Sequence, residues 1–127
     1  MSKTGKIIEI EYKGVKIIHT DLSKLSSEDA IAVLEDTLIE IPKYGEKSVL
    51  SLLSVKHLEF STSLMKVFNK VGVENKRYVL GTAVCGLSSM TRLLAKGVIT
   101  ASGRKADIFN TQEEALEWLY LVHKGEK

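Results

Sequence analysis

Ser48-Val49-Leu50-Ser51-Leu52-Leu53-Ser54-Val55 is the stretch on which the fold turns. It is nearly all apolar or small, and lacks the apolar–polar alternation of a strand that faces water on one side. A short, continuous run of this kind predicts a central strand covered on both faces, as in a parallel sheet. Downstream, Tyr78-Val79-Leu80-Gly81-Thr82-Ala83-Val84-Cys85 reads the same way and is broken by Gly86. A shorter strand is expected at Ala106-Asp107-Ile108-Phe109.

Upstream, residues 6–20 read as a hairpin. Ile7, Ile8 and Ile10 precede Glu11-Tyr12-Lys13-Gly14, and Val15, Ile17 and Ile18 follow it. Its arms are rich in β-branched residues and Gly14 supplies the turn. Between the strands, helices are expected from periodicity and caps. Ser26 with Asp29 resembles a capping box, followed by Ala30, Ile31, Leu34, Leu38 and Ile41 at helical spacing, and Pro42 ends the run. Ser61, Thr62 or Ser63 caps a second helix whose inner side carries Leu64, Phe68 and Val71. Leu87 to Ala101 reads as a third helix, with Met90, Leu93, Leu94 and Val98 inward and Gly103 as its stop. Thr111 with Glu114 caps a fourth, carrying Ala115, Trp118, Leu119 and Val122. The order ββα-βα-βα-βα predicts an α/β fold: a mixed, mostly parallel five-stranded sheet covered by four helices. No repeat, low-complexity tract or linker interrupts the 127 residues, so one domain is expected over 1–127.

Composition narrows the function classes. Lys plus Arg number 18 against 16 Asp plus Glu, a net charge of +2, with the basic residues scattered among acidic ones. Lys56, Lys76, Arg92, Arg104 and the rest therefore read as solvated surface charge, and nucleic acid is not the expected partner. No apolar run reaches the roughly 18 residues of a membrane span, so no integral membrane association is expected. The first residues lack a signal-peptide pattern, and the single cysteine, Cys85, suits a reducing compartment; the expected location is cytoplasmic.

Four passages carry a resemblance. They are Tyr12-Lys13-Gly14-Val15-Lys16-Ile17-Ile18-His19, Tyr78-Val79 through Ala83-Val84-Cys85-Gly86-Leu87, Ser102-Gly103-Arg104, and Ile108-Phe109-Asn110-Thr111-Gln112-Glu113-Glu114-Ala115-Leu116-Glu117-Trp118-Leu119. Through them the chain resembles the small SpoIIAA-like proteins, whose fold is related to STAS domains and to CRAL-TRIO lipid-transfer domains. The resemblance spans residues 6–122. It implies a non-enzymatic regulatory or protein-binding module that pairs with a protein partner or with itself as a homodimer. The alternative it implies is a carrier or sensor of a small apolar or lipid-like ligand, held between helices and sheet. STAS anti-sigma antagonists carry an Asp-Ser-Ser-Gly-type phosphorylation site at a helix start. The matching region, Leu53 to Leu64, keeps hydroxyls there but has Glu59 instead of an adjacent Asp and has no glycine.

The candidate sites follow. Ser61, Thr62 and Ser63 stand at a helix start, where a phosphate would meet free amides, although Ser and Thr also serve there as plain caps. Gly86, Ser88 and Ser89 form a strand-to-helix turn at the carboxyl end of a strand, a place suited to an anion or ligand, or simply a structural turn. Gly86-Leu87-Ser88-Ser89-Met90 departs from the hydrolase elbow Gly-x-Ser-x-Gly at Met90. Cys85 reads as a small buried hydrophobe. His19, His57 and His123 lack metal-ligand spacing, so no metal or other cofactor is expected. His19 and Asp21 leave one strand on the same side, where they line a pocket or a polar strand exit.

Overall fold

In the computed structural model, which describes residues 6–127 apart from the side chains of Ala101 and Ser102, the chain opens with β1 (Ile7–Tyr12) and β2 (Val15–Asp21). Their pairing runs from Ile7 opposite Thr20 to Tyr12 opposite Val15, leaving a two-residue turn. Both turn residues take positive φ, Lys13 at 52° and Gly14 at 80°. That geometry matches the twist of the flanking strands. Then come α1 (Ser27–Glu40), a 3-10 turn (Ile41–Tyr44), β3 (Val49–Ser54), α2 (Thr62–Asn75), β4 (Val79–Cys85), α3 (Ser89–Ser102), β5 (Ala106–Phe109) and α4 (Gln112–His123).

The strands lie side by side in chain order, antiparallel between β1 and β2 and parallel thereafter. The mixed five-stranded α/β architecture is the one expected. Right-handed crossovers between successive neighbours place every intervening helix on the same face. Accordingly Leu22, Ala30, Val33, Leu34, Val55, Leu64 and Val71 form one core with α1 and α2, and Ala95 and Ile99 of α3 pack against it. On the opposite face α4 covers Ile17, Leu50, Leu52, Ala83 and Cys85 with Ala115, Leu119 and Val122. β3 is thus sandwiched, Leu50 and Leu52 facing α4 and Leu53 facing the core of α1 and α2. Tyr12 and Lys13 tie the hairpin turn to α4, each donating to Glu117 Oε1 at 2.8 Å.

Three caps stand where expected: Ser26, Ser61 and Thr111 accept from the amides of Asp29, Leu64 and Glu114. The third helix starts at Ser89 instead of Leu87, with Ser88 as its cap accepting from Thr91 N. Pro42 ends α1 by opening the 3-10 turn, and Gly103, at φ 68°, ends α3. Two stripes differ from expectation. In α1, Val33 and Thr37 are buried beside Ala30 and Leu34, while Ile31 and Leu38 are half-buried. In α3 the correction is larger: Met90, Leu93 and Leu94 face outward, exposed by 78, 74 and 63%. Ala95, Val98 and Ile99, set about 140° around the helix by its 100° step, face the sheet instead. α3 crosses to the four-residue edge strand β5, which offers too little surface to bury two apolar stripes.

Truncating Leu52, fully buried between sheet and α4, to alanine should cost about 2–5 kcal/mol of unfolding free energy. Leu93→Ala should change it by no more than about 0.5 kcal/mol. Urea unfolding followed by circular dichroism compares the two directly; equal losses would contradict the outward orientation of Leu93.

Candidate functional site

The carboxyl ends of the parallel strands gather the polar residues. Asp21 lies opposite Ser54, Ser54 opposite Cys85, and Cys85 opposite Phe109, so one row crosses four strands. His19, two residues back along β2, reaches the same row: its Nε2 is 2.9 Å from Ser54 Oγ, which lies 3.6 Å from Cys85 Sγ. Ser54 and Cys85 are buried, at 8 and 6% exposure. The row is a continuous side-chain chain inside the α4 face, and it keeps each polar group satisfied in a place that costs heavily otherwise. Burial lowers the His19 pKa, with the Asp21 charge opposing. Burial would raise the Asp21 carboxyl, but the backbone amide of Ser23, at 3.0 Å, the Ser23 hydroxyl and His19 bring it below its ordinary value.

Above this row two loops leave the sheet side by side. In the β4–α3 turn Gly86 has φ 101°, and a Cβ there would lie 2.7 Å from the backbone nitrogen of Lys56 in the β3–α2 loop. Glycine is required by both conformation and contact. Ser88 caps α3, accepting from Thr91 N at 3.4 Å and lying 2.8 Å from Thr91 Oγ1; Ser89 is the exposed first residue of the helix. Ser61 caps α2 through Leu64 N at 3.0 Å, and its hydroxyl makes a short hydrogen bond with that of Ser27 at the start of α1. Thr62 and Ser63 are exposed. Gly86, Ser88 and Ser89 thus share one end of the sheet with Ser61, Thr62 and Ser63. His19 lies in the row beneath, and His57, with φ 60°, stands in the β3–α2 loop between β3 and Ser61. Among the described residues no group of three or more His, Cys, Asp or Glu is placed to hold a metal ion, and no helix is long and apolar enough to cross a membrane.

A second feature lies between α2, α3 and the sheet. A cavity of about 120 Å³ is bounded by apolar side chains, among them Leu53, Phe68, Val84, Val98 and Ile99. Arg104 enters it. Gly103 turns the chain at the end of α3, and the guanidinium donates from Nη2 to Thr82 Oγ1 at 2.8 Å. The missing side chain of Gly72 makes room: a Cβ there would sit 3.2 Å from Arg104 Nη1. Arg104 is therefore not the solvated surface charge that its sequence context implies, and burial pushes its pKa below the ordinary value. The visible signal was Gly103-Arg104 after an amphipathic helix, which marks a turn but not a direction.

No protein-family model and no curated protein matches the sequence. Solved structures do match its fold. An uncharacterized protein of the DUF3478 family with a SpoIIAA-like fold, from Shewanella loihica, superposes with a TM-score of 0.71 at 15% identity, covering 89% of this chain and 91% of that one. An anti-sigma-factor antagonist (STAS) domain protein from Planctomyces limnophilus gives 0.60 at 16% identity, covering 90 and 97%. The chain has the SpoIIAA-like, STAS-type fold.

Two outcomes follow from the geometry. His19 binds its proton less readily folded than unfolded, so its share of stability is complete above the ordinary value of 6.5 and is lost as pH falls through the lowered one. Asp21 adds a second loss below its own ordinary value of 3.8. Urea midpoints taken between about pH 7.5 and 5 should fall for the wild type, and His19→Gln should flatten that decline. Gly86→Ala should cost about 1–3 kcal/mol, because the strained φ and the Lys56 contact both resist a Cβ; an unchanged midpoint would contradict the close loop contact.

Proposed function

We propose that the chain is a single-domain, non-enzymatic regulatory module that binds a protein, a second copy of itself included, at the carboxyl end of the sheet. The supporting observation is the outer face of α3. Met90, Leu93 and Leu94 form an exposed apolar stripe directly after the Gly86–Ser89 turn. Such a stripe is costly on a monomer and marks a contact surface. Lys96 borders it on one side, and the helix carries no acidic residue, which suits a partner patch that is apolar at its centre and acidic at its rim. The STAS neighbour is an anti-sigma-factor antagonist, a protein-directed role consistent with this use. Thr62 and Ser63 supply the regulatory element. A phosphate on either would sit on the first-turn amides of α2, beside the proposed contact. A cytoplasmic setting accords with the buried free thiol of Cys85.

A second function has its own support in the cavity under α3: a carrier or sensor of a small apolar ligand. Its apolar lining and its position between helices and sheet match what such a ligand needs.

The docking surface is tested by sedimentation velocity over a wide concentration range, with Leu93→Glu and Leu94→Glu as variants. Self-association of the wild type that both variants abolish supports it. If the wild type stays monomeric, a photo-crosslinking residue at position 93 in the producing cells should capture a discrete protein partner, lost in Leu94→Glu. Monomer throughout and no such product would overturn the docking surface.

A further inference from the structure

The apolar cavity does not end at Arg104. A second cavity of about 70 Å³ adjoins it, and the two share Leu53, Phe68, Gly72, Thr82 and Arg104 as lining. Their characters differ. The front chamber, under α3, is walled by aliphatic and aromatic side chains. The rear chamber adds Thr20, Thr37, Ser51 and Asn75, so hydroxyl and amide groups line it. The guanidinium stands at the junction, anchored on the Thr82 hydroxyl. We propose that this double cavity binds a linear carboxylic acid of short to medium chain length, its carboxylate on Arg104 and Thr82 and its alkyl chain under α3. The inference rests on the carrier function above and names its ligand class.

Three features select this chemistry. A guanidinium presents paired N–H donors in a planar fork that matches the two oxygens of a carboxylate. A cation held partly out of water gains more from an anion than a solvated one does, and Arg104 stands at the end of an apolar chamber where an alkyl chain would lead straight to it. The narrow rear chamber and a single guanidinium suit a small planar head rather than a phosphate ester. Access is provided by α3 itself. None of its described residues is fully buried, and its inner contacts are the small or branched side chains of Ala95, Val98 and Ile99. Gly72 belongs to the same device, since a larger residue there would press on Arg104 Nη1.

Titration calorimetry at neutral pH with octanoate, 1-octanol and octylamine tests the assignment on the intact chain. Octanoate should bind at least about tenfold more tightly than octanol, as expected for one charge-assisted contact, and octylamine should bind weakest. Arg104→Gln should bring octanoate to the level of octanol and leave octanol unchanged. Val98→Trp, which fills the front chamber, should abolish both. Equal affinity for octanoate and octanol would overturn the carboxylate assignment while leaving an apolar carrier standing. Absence of binding by all three would overturn both. Octanoate affinity that Arg104→Gln leaves at the wild-type level, or octanoate binding that survives Val98→Trp, would place the site elsewhere and overturn the inference. Should Arg104→Gln fail to fold, the ranking of the three head groups on the wild type and the Val98→Trp result decide the matter alone.

Discussion

The handedness of the crossover is the constraint from which the rest of this molecule follows. When parallel strands succeed one another in order across a sheet, each right-handed connection delivers its helix to the same face. Three helices are thereby committed to one side of β2–β5, and the other side depends on whatever follows the last strand. Here that is α4, capped by Thr111 and closed over Leu50, Leu52 and Ala83 by Ala115 and Leu119. The central strand must then be apolar in both directions, which is why residues 48–55 show no alternation. Crowding on the first face also has a geometrical end: the last helix of the series reaches the short edge strand, where little sheet remains beneath it. The cavity and the exposed stripe both belong to that edge.

Much of this was legible in the chain because the signals were local. Ser26, Ser61 and Thr111 each stand three residues before an amide that they accept from, and a cap of this kind is read without knowing what packs where. The double-sided apolarity of β3 and β4 was enough to imply a covered parallel sheet, and the likeness of the fold to a SpoIIAA-like structure at 15% identity agrees with that physical pattern. What failed was orientation within α3. Met90, Leu93 and Leu94 recur at helical spacing, but so do Ala95, Val98 and Ile99, and periodicity favours the bulkier set. Only the position of the helix over the sheet edge decides which stripe is inward, and that is a tertiary fact with no local signal.

The candidate site was legible in part for a similar reason. The helix start at Ser61 and the turn at Gly86–Ser89 could be placed from their own residues, and the parallel register brings them to one end of the sheet. The His19–Ser54–Cys85 row could not be seen, since its members come from three strands and meet only through register. Arg104 was hidden by its kind: an arginine after a glycine in a charged context reads as surface. Its inward turn depends on the positive φ of Gly103 and on the empty space left by Gly72, thirty-two positions away in sequence.

The two functions argued for this fold meet on a single helix, and this makes them linked rather than exclusive. An α-helix is a stiff cylinder about 10 Å across, so α3 cannot shift its inner stripe over the cavity without moving Met90, Leu93 and Leu94 on its outer face. A ligand that favours one position of the helix therefore changes the affinity of any partner that grips the other side. By linkage the partner changes the ligand's affinity by the same factor. Coupling of this kind needs no long pathway through the core, since the two surfaces are separated by one helix thickness. It does need a helix held weakly enough to have two positions. α3 is the helix that the core holds least: α1, α2 and α4 each bury at least three residues, whereas no described residue of α3 is buried.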